Sequence, residues 1–373
     1  MLSVRVVEMV VRWVGGRDNA GMDLMGLAGV MKRIGIMGCG VVARRGHLPA
    51  LMQCGDQLQV AAVFDPVRTN AEAAAAEFGV KRVCTDEADF WQTDMDGVSV
   101  CSPAPVHLQN VVAAAAHGKH VLCEKPLAMT DADIEAMIAA TTKAGVLLAT
   151  GFDYRFSPIS QTIYRLVRDG TIGTVRSLRL IYVWHLHGKY AVAPDGTRTL
   201  NQRRVGRMLE GGPMVDCGVH QIDLARWWVG SEVASFIGRG AWVEDYEAPD
   251  HMWLHMDHAN GAHTAVEISY TYGHTVKEPV PVFQYHIIGT DGLIRYDSQA
   301  KYFEVRTPAG TQQLPFAHEK NFVAMYQRFA RAMATGELGD LPSAQDGLMA
   351  TRIAREATNQ AIAHRAGLIQ KGA

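Results

Sequence analysis

From residue 32 onward, short apolar runs alternate with longer stretches whose apolar residues recur every three or four positions. RIGIMG (33–38), LQVAAVFD (58–65), KRVCTD (81–86), GVSVCS (97–102), HVLCEK (120–125) and VLLATGF (146–152) read as strands. Between them, VVARRGHLPALMQ (41–53), TNAEAAAAEFG (69–79), VHLQNVVAAAAHG (106–118) and DADIEAMIAATTKAG (131–145) read as helices, with Gly79, Gly118 and Gly145 at their ends and Thr130 as a cap. Strand and helix in alternation predict βαβ units and a parallel sheet. Six such strands within residues 31–151 predict an α/β, doubly wound Rossmann sheet.

After Gly151 the period changes. One helix, ISQTIYRLVRDG, is followed by the long alternating run TVRSLRLIYVWHLH. HMWLHMDH, HTAVEISYTY, VFQYHIIGT, LIRYDS and YFEVRT then alternate with period two and are joined by Gly, Asn or Asp turns. Residues 152–373 are thus expected to form a C-terminal α/β domain with a large, mainly antiparallel open sheet, closed by helices over 320–336 and 343–367. Residues 1–30 are an extension of unknown role, with Met31 as an alternative start. Glu8 and Arg12 interrupt its apolar run, so it reads as neither a signal segment nor a membrane span.

Charge and cysteine content narrow the function. Lys+Arg (36) nearly balances Asp+Glu (38), so no basic field for nucleic acid or anionic lipid is present. A small substrate, read locally, is the expectation. Six cysteines (Cys39, Cys54, Cys84, Cys101, Cys123, Cys217) form no C-x-x-C pair and mostly lie in apolar strand-like runs. That predicts a reducing, cytoplasmic setting and no disulfide framework.

The loop Gly38-Cys39-Gly40-Val41-Val42-Ala43 is a G-x-G-x-x-A placed between a strand and a helix. Gly38 permits the tight turn, Gly40 lets a pyrophosphate approach the backbone, and Ala43 lets the helix pack on the strand. Asp65 ends the second strand and is the expected acceptor for an adenosine ribose hydroxyl. A carboxylate there repels a 2′-phosphate and favours NAD over NADP, a preference that Arg68, three residues on, can soften.

In open α/β sheets the ligand lies beyond the carboxyl ends of the strands. Ser102-Pro103 and Glu124-Lys125 are therefore at the ligand edge. Lys125 is placed either to stabilise charge on a substrate oxygen or to form a structural pair with Glu124. EGGPMVDCGVHQIDLARWW (210–228) tips the balance to the former. It reads as one helix in which Asp216, His220 and Asp223 share a face. His220 suits acid–base work near neutral pH, with Asp216 one turn away to orient it or stabilise its cation.

These motifs together resemble the Gfo/Idh/MocA family, the glucose–fructose oxidoreductase and inositol dehydrogenase group. The resemblance spans residues 32–366. It rests on G-x-G-x-x-A at 38–43, S-P-x-x-x-H from Ser102 to His107, EKP at 124–126, GFDYRFSP at 151–158 and GGPMVDCGVHQID at 211–223. It implies an NAD(P)-dependent sugar or polyol dehydrogenase with Lys125, Asp216 and His220 as its catalytic group. It further implies His107 beside the cofactor with Gly38, Cys39, Gly40, Val41, Val42, Asp65, Ser102, Pro103, Glu124 and Lys125, and Arg155 at the substrate. A redox-cycling glycosidase or lyase of the same family uses the same three residues, so the motifs do not separate the two; a non-catalytic sensor is disfavoured by their presence. The sequence departs from the family pattern at Ala104, at Asp153-Tyr154 where Asn and Arg are common, and at Pro213 in place of a third glycine.

Four weaker signals remain. His185 and His187 share a strand face near the cleft, and His187 is expected to contact substrate hydroxyls. His251, His255 and Asp257 fall on one face of a strand, which reads as a sheet face at a subunit interface, with no metal. The loop Ala193 to Arg207 holds the arginines Arg198, Arg203, Arg204 and Arg207; it reads as a solvated loop, with a lid, a partner's arm or a contact to an acidic substrate as the alternatives. The open sheet predicts a homodimer or homotetramer.

Overall fold

The computed structural model describes residues 31–184, 190–271 and 276–372. The extension 1–30 and His185, His187 and Lys189 lie outside the described residues. Strands β1 (Lys32–Met37), β2 (Leu58–Phe64), β3 (Val83–Cys84), β4 (Gly97–Val100), β5 (His120–Cys123) and β6 (Leu148–Thr150) form an all-parallel sheet in the order β3-β2-β1-β4-β5-β6. This is the expected doubly wound arrangement. Buried on both faces, its strands carry Ile34, Ile36, Val98, Val100, Val121 and Leu122, all fully buried. Each such side chain stabilises the fold by about 1.5–3 kcal/mol relative to exposure.

The second sheet has eight strands: β7 (Val175–Val183), β10 (Val233–Ala241), β11 (His251–His258), β12 (His263–Ser269), β13 (Val282–Gly289), β14 (Leu293–Asp297), β15 (Tyr302–Thr307) and β16 (Gly310–Gln313), with the small hairpin β8 (Tyr190–Val192) and β9 (Arg198–Leu200) apart from it. The order is β10-β11-β12-β7-β13-β14-β15-β16, antiparallel throughout except where β12 meets β7. Along β11 the burial alternates residue by residue. Met252, Leu254 and Met256 face the core, while Trp253, His255 and Asp257 face outward. There His263 bonds Asp257 at 2.7 Å and His255 lies 3.1 Å from His263.

Lys32 onward forms one compact unit, and elements from beyond residue 151 pack back on the first sheet. The helix Phe322–Thr335 returns to the first layer, where Met325, Tyr326 and Phe329 share a core with Ile34, Ile36 and Leu51. The helix Ala344–Gly372 also returns, bonding at its start to β6 through Thr150 and packing Ala357 under β10. Among the described residues no helix is long and apolar enough to cross a membrane.

Candidate active site

Strands β1, β2, β4, β5 and β6 all end at one edge of the first sheet, and the residues just beyond them line a cavity of about 820 Å³. Gly38, Gly40, Val41, Val42, Asp65, Ser102 and Pro103 line it on the glycine-loop side; Lys125, Asp153, Tyr154, Asp216 and His220 line it toward the second sheet. Gly38 has φ +92°, and a Cβ there would sit 2.6 Å from the Ser102 nitrogen. Nothing lies within 4 Å of a Cβ built at Gly40, so the backbone is open to a ligand there. Asp65 accepts from Cys39 N–H at 2.9 Å, Val67 N–H at 2.9 Å and Asn70 at 3.3 Å. A carboxylate has about four acceptor positions, so one is left for a ribose hydroxyl. The loop and the carboxylate fit a dinucleotide.

Lys125 leaves β5 with its ammonium turned to the second sheet. Its Nζ donates to the Asp216 main-chain oxygen at 2.7 Å and to Oδ1 at 2.9 Å. An ammonium has three donors, so one remains. Burial pulls the Lys125 pKa down, but the Asp216 carboxylate outweighs it and the group stays charged, above its ordinary value. Asp216 also accepts from the Tyr270 hydroxyl and lies 3.7 Å from Arg207. Burial opposes its ionisation, yet Lys125 and Arg207 hold it well below the usual carboxylate range.

His220 stacks on Tyr154, with ring centroids 4.3 Å apart. Its Nδ1 has no hydrogen-bond partner among the described residues. Burial, then the charges of Lys125 and Lys320, push its pKa well below the ordinary histidine value. The ring is therefore neutral at pH 7 and free to accept a proton. Asp216 does not orient it: the carboxylate bonds to Lys125 and Tyr270 instead. The segment Met214–Gly218 is a π-helical turn ahead of the α-helix Val219–Val229. A π turn closes i to i+5, so residues four apart no longer stand directly above one another.

Glu124 lines the cavity with its oxygens engaged, Oε1 by His47 at 2.8 Å and Oε2 by the Lys125 N–H at 3.2 Å. His47 also bonds Tyr326 at 2.7 Å, and Tyr326 bonds Ser99 at 2.7 Å. Burial pushes the Glu124 carboxyl up, but the His47 bond prevails and brings it down to about 2.

Three predicted contacts lie away from the cavity lining. Cys39 is buried; its N–H is spent on Asp65, and its thiol points at the Phe64 oxygen at 3.5 Å. His107 is a buried peg whose ring nitrogens bond the main-chain oxygens of Ser102 at 2.7 Å and of Pro126 and Leu127 at 3.1 Å. Arg155 grips Asp223 bidentately at 2.7 and 2.5 Å behind the site, so the Asp223 carboxylate is spent on Arg155.

The arginine loop is a helix, Gln202–Leu209, capped by Asn201. It brings Arg203 and Arg207 to the cavity and buries Arg204 against Glu244 at 2.9 Å. Lys320, Tyr182 and Trp184 also line the cavity. No local motif marks them, since each arrives from a distant part of the chain.

Residues 32–152 match the model of an oxidoreductase family with an NAD-binding Rossmann fold, and residues 160–295 match the GFO/IDH/MocA C-terminal domain. The chain is 30% identical over 267 residues to dTDP-3,4-didehydro-2,6-dideoxy-alpha-D-glucose 3-reductase of Streptomyces antibioticus, covering 71% of this chain and 75% of that one. It is 31% identical over 251 residues to inositol 2-dehydrogenase 2 of Saccharopolyspora erythraea, covering 65% and 69%. Its fold is similar to that of an oxidoreductase domain protein from Kribbella flavida, with TM-score 0.78 at 24% identity over 90% of this chain and 98% of that one. With both family domains matched in order, and with relatives of this identity covered over most of their length, the chain belongs to the Gfo/Idh/MocA family of NAD-binding oxidoreductases.

Proposed function

We propose that the protein is an NAD-dependent dehydrogenase acting on a hydroxyl of a sugar, cyclitol or related polyol. One observation carries this reading. A charged Lys125 with one unused hydrogen and a neutral His220 line the same cavity as the glycine loop. Bound NAD supplies the hydride acceptor. His220 takes the proton of the substrate hydroxyl, and the third Lys125 hydrogen stabilises the alkoxide oxygen as the carbon loses hydride. Asp216 holds Lys125 in place and charged. The relatives named above, a sugar-nucleotide reductase and an inositol dehydrogenase, support this substrate class.

The test is absorbance of reduced nicotinamide on mixing protein and NAD with a panel of cyclitols, aldoses and glycosides. Continuous growth with one polyol class is expected. A burst that stops near one equivalent per subunit, with a cleaved glycoside, would replace net dehydrogenation by redox cycling.

Asp65 bears on the cofactor. Asp65→Ser is expected to weaken NAD binding about tenfold, the cost of one charge-assisted hydrogen bond, and to narrow the gap to NADP. Titration of NADH and NADPH fluorescence measures both. Unchanged affinities would separate Asp65 from the ribose.

A further inference from the structure

Asp153 opens the short turn Asp153–Phe156 just beyond β6 and lines the cavity with Lys125, Asp216 and His220. It is 2% exposed, and its Oδ2 has no hydrogen-bond partner among the described residues. The other buried carboxylates of the lining are engaged: Asp65 by three donors, Glu124 by His47 and the Lys125 N–H, Asp216 by Lys125 and Tyr270. A desolvated carboxylate without a partner destabilises a fold, so its retention inside a ligand cavity points to a ligand.

We propose that Asp153 is a substrate-binding, specificity-determining residue whose free carboxylate oxygen accepts a hydrogen bond from a polyol hydroxyl other than the one oxidised. This rests on the polyol reading above. The ligand group is a neutral donor on charge grounds. Lys125 and Lys320, the latter 5.6 Å from the Tyr154 ring centre, already place positive charge around the site and disfavour an ammonium. Asp153 itself disfavours an anion.

Burial raises the Asp153 carboxyl to about 6; Lys320 opposes that rise, Glu124 adds to it, and Lys125 and His47 oppose it. The group is thus a charged acceptor above pH 6 and a neutral acid below. A polyol that uses it as an acceptor binds more tightly as pH rises through that range.

The experiment measures polyol binding to the protein–NADH complex from pH 5 to 8, by fluorescence of Trp184 in the cavity lining, for the wild type and Asp153→Asn. In the wild type, affinity rises about tenfold across pH 6, the worth of one charge-assisted hydrogen bond. In D153N it is flat with pH and about tenfold weaker at pH 8. D153N keeps its NADH affinity, and it melts higher at pH 8 because a buried charge is gone. Identical polyol affinities in both proteins across the pH range overturn the proposal. So does an equal loss of NADH affinity, which would give the carboxylate to the cofactor. Binding without turnover in the wild type sinks the dehydrogenase reading and leaves this one standing; no binding by any polyol sinks both.

Discussion

Lys125→Ala is expected to lower turnover by about 10²–10³-fold, the usual cost of removing one donor from a developing oxyanion. NADH binding should survive, since the glycine loop and Asp65 are untouched. The substitution has a second effect, because Lys125 supplies much of the charge that keeps Asp216 ionised. Asp216 is 4% exposed, and losing its ammonium leaves it with weaker support, Arg207 at 3.7 Å, the Tyr270 hydroxyl and the Cys217 thiol at 3.5 Å among it. Stability therefore drops as well, and a lost activity could be mistaken for a lost fold. The double substitution Lys125→Met with Asp216→Asn separates the two. With no charge left on either side, the melting temperature should return toward wild type while turnover stays low. The His220 ring should also titrate higher in Lys125→Ala, since burial remains but one of its two repelling cations is gone. A histidine proton resonance followed through pH reads this directly. Turnover near the wild-type rate in Lys125→Ala, or full recovery of turnover in the double variant, would remove Lys125 from the chemistry.

What was legible in the sequence was local. The six strands of the first sheet follow from apolar runs between capped helices, and the positions of Gly38 and Lys125 follow from where those runs stop. Strand β10 escaped notice because Gly238 and Gly240 look like turn residues. Gly238 is in fact needed for close packing: a Cβ there would lie 2.2 Å from the Ala357 oxygen of the C-terminal helix. The pairing of Asp216 with Lys125 rather than His220 depends on a π turn that spacing rules for α-helices do not anticipate. Lys320 reaches the cavity only through tertiary packing, so no window of sequence marks it. His47 looked like an ordinary helix residue, yet it pins Glu124 from 77 positions away.

Arg155 shows the same limit with a larger consequence, because its motif suggested substrate and its geometry implies stability. Arg155 is 7% exposed, and its guanidinium bonds both oxygens of Asp223, itself 1% exposed, with Asp346 at 3.4 Å. Arg155→Met leaves Asp223 buried without its counterion; Asp346 keeps Arg226 at 3.3 Å. Breaking a buried pair from one side costs about 3–5 kcal/mol. For a compact unit of this size that is a fall in melting temperature of roughly 4–7 °C. The pH dependence has a definite sign. Burial already raises the Asp223 carboxyl, and Arg155 holds it down. Without Arg155 it rises further, so the folded protein holds a proton that the unfolded chain has released. Stability then falls as pH rises, and the deficit is larger at pH 8 than at pH 5. Arg155→Met with Asp223→Leu removes both charges and should recover most of the loss, because an apolar pair replaces a buried ion pair with little penalty. Differential scanning calorimetry of the three proteins at the two pH values checks every step. A normal melting temperature in Arg155→Met together with a raised KM for the polyol would return Arg155 to the substrate.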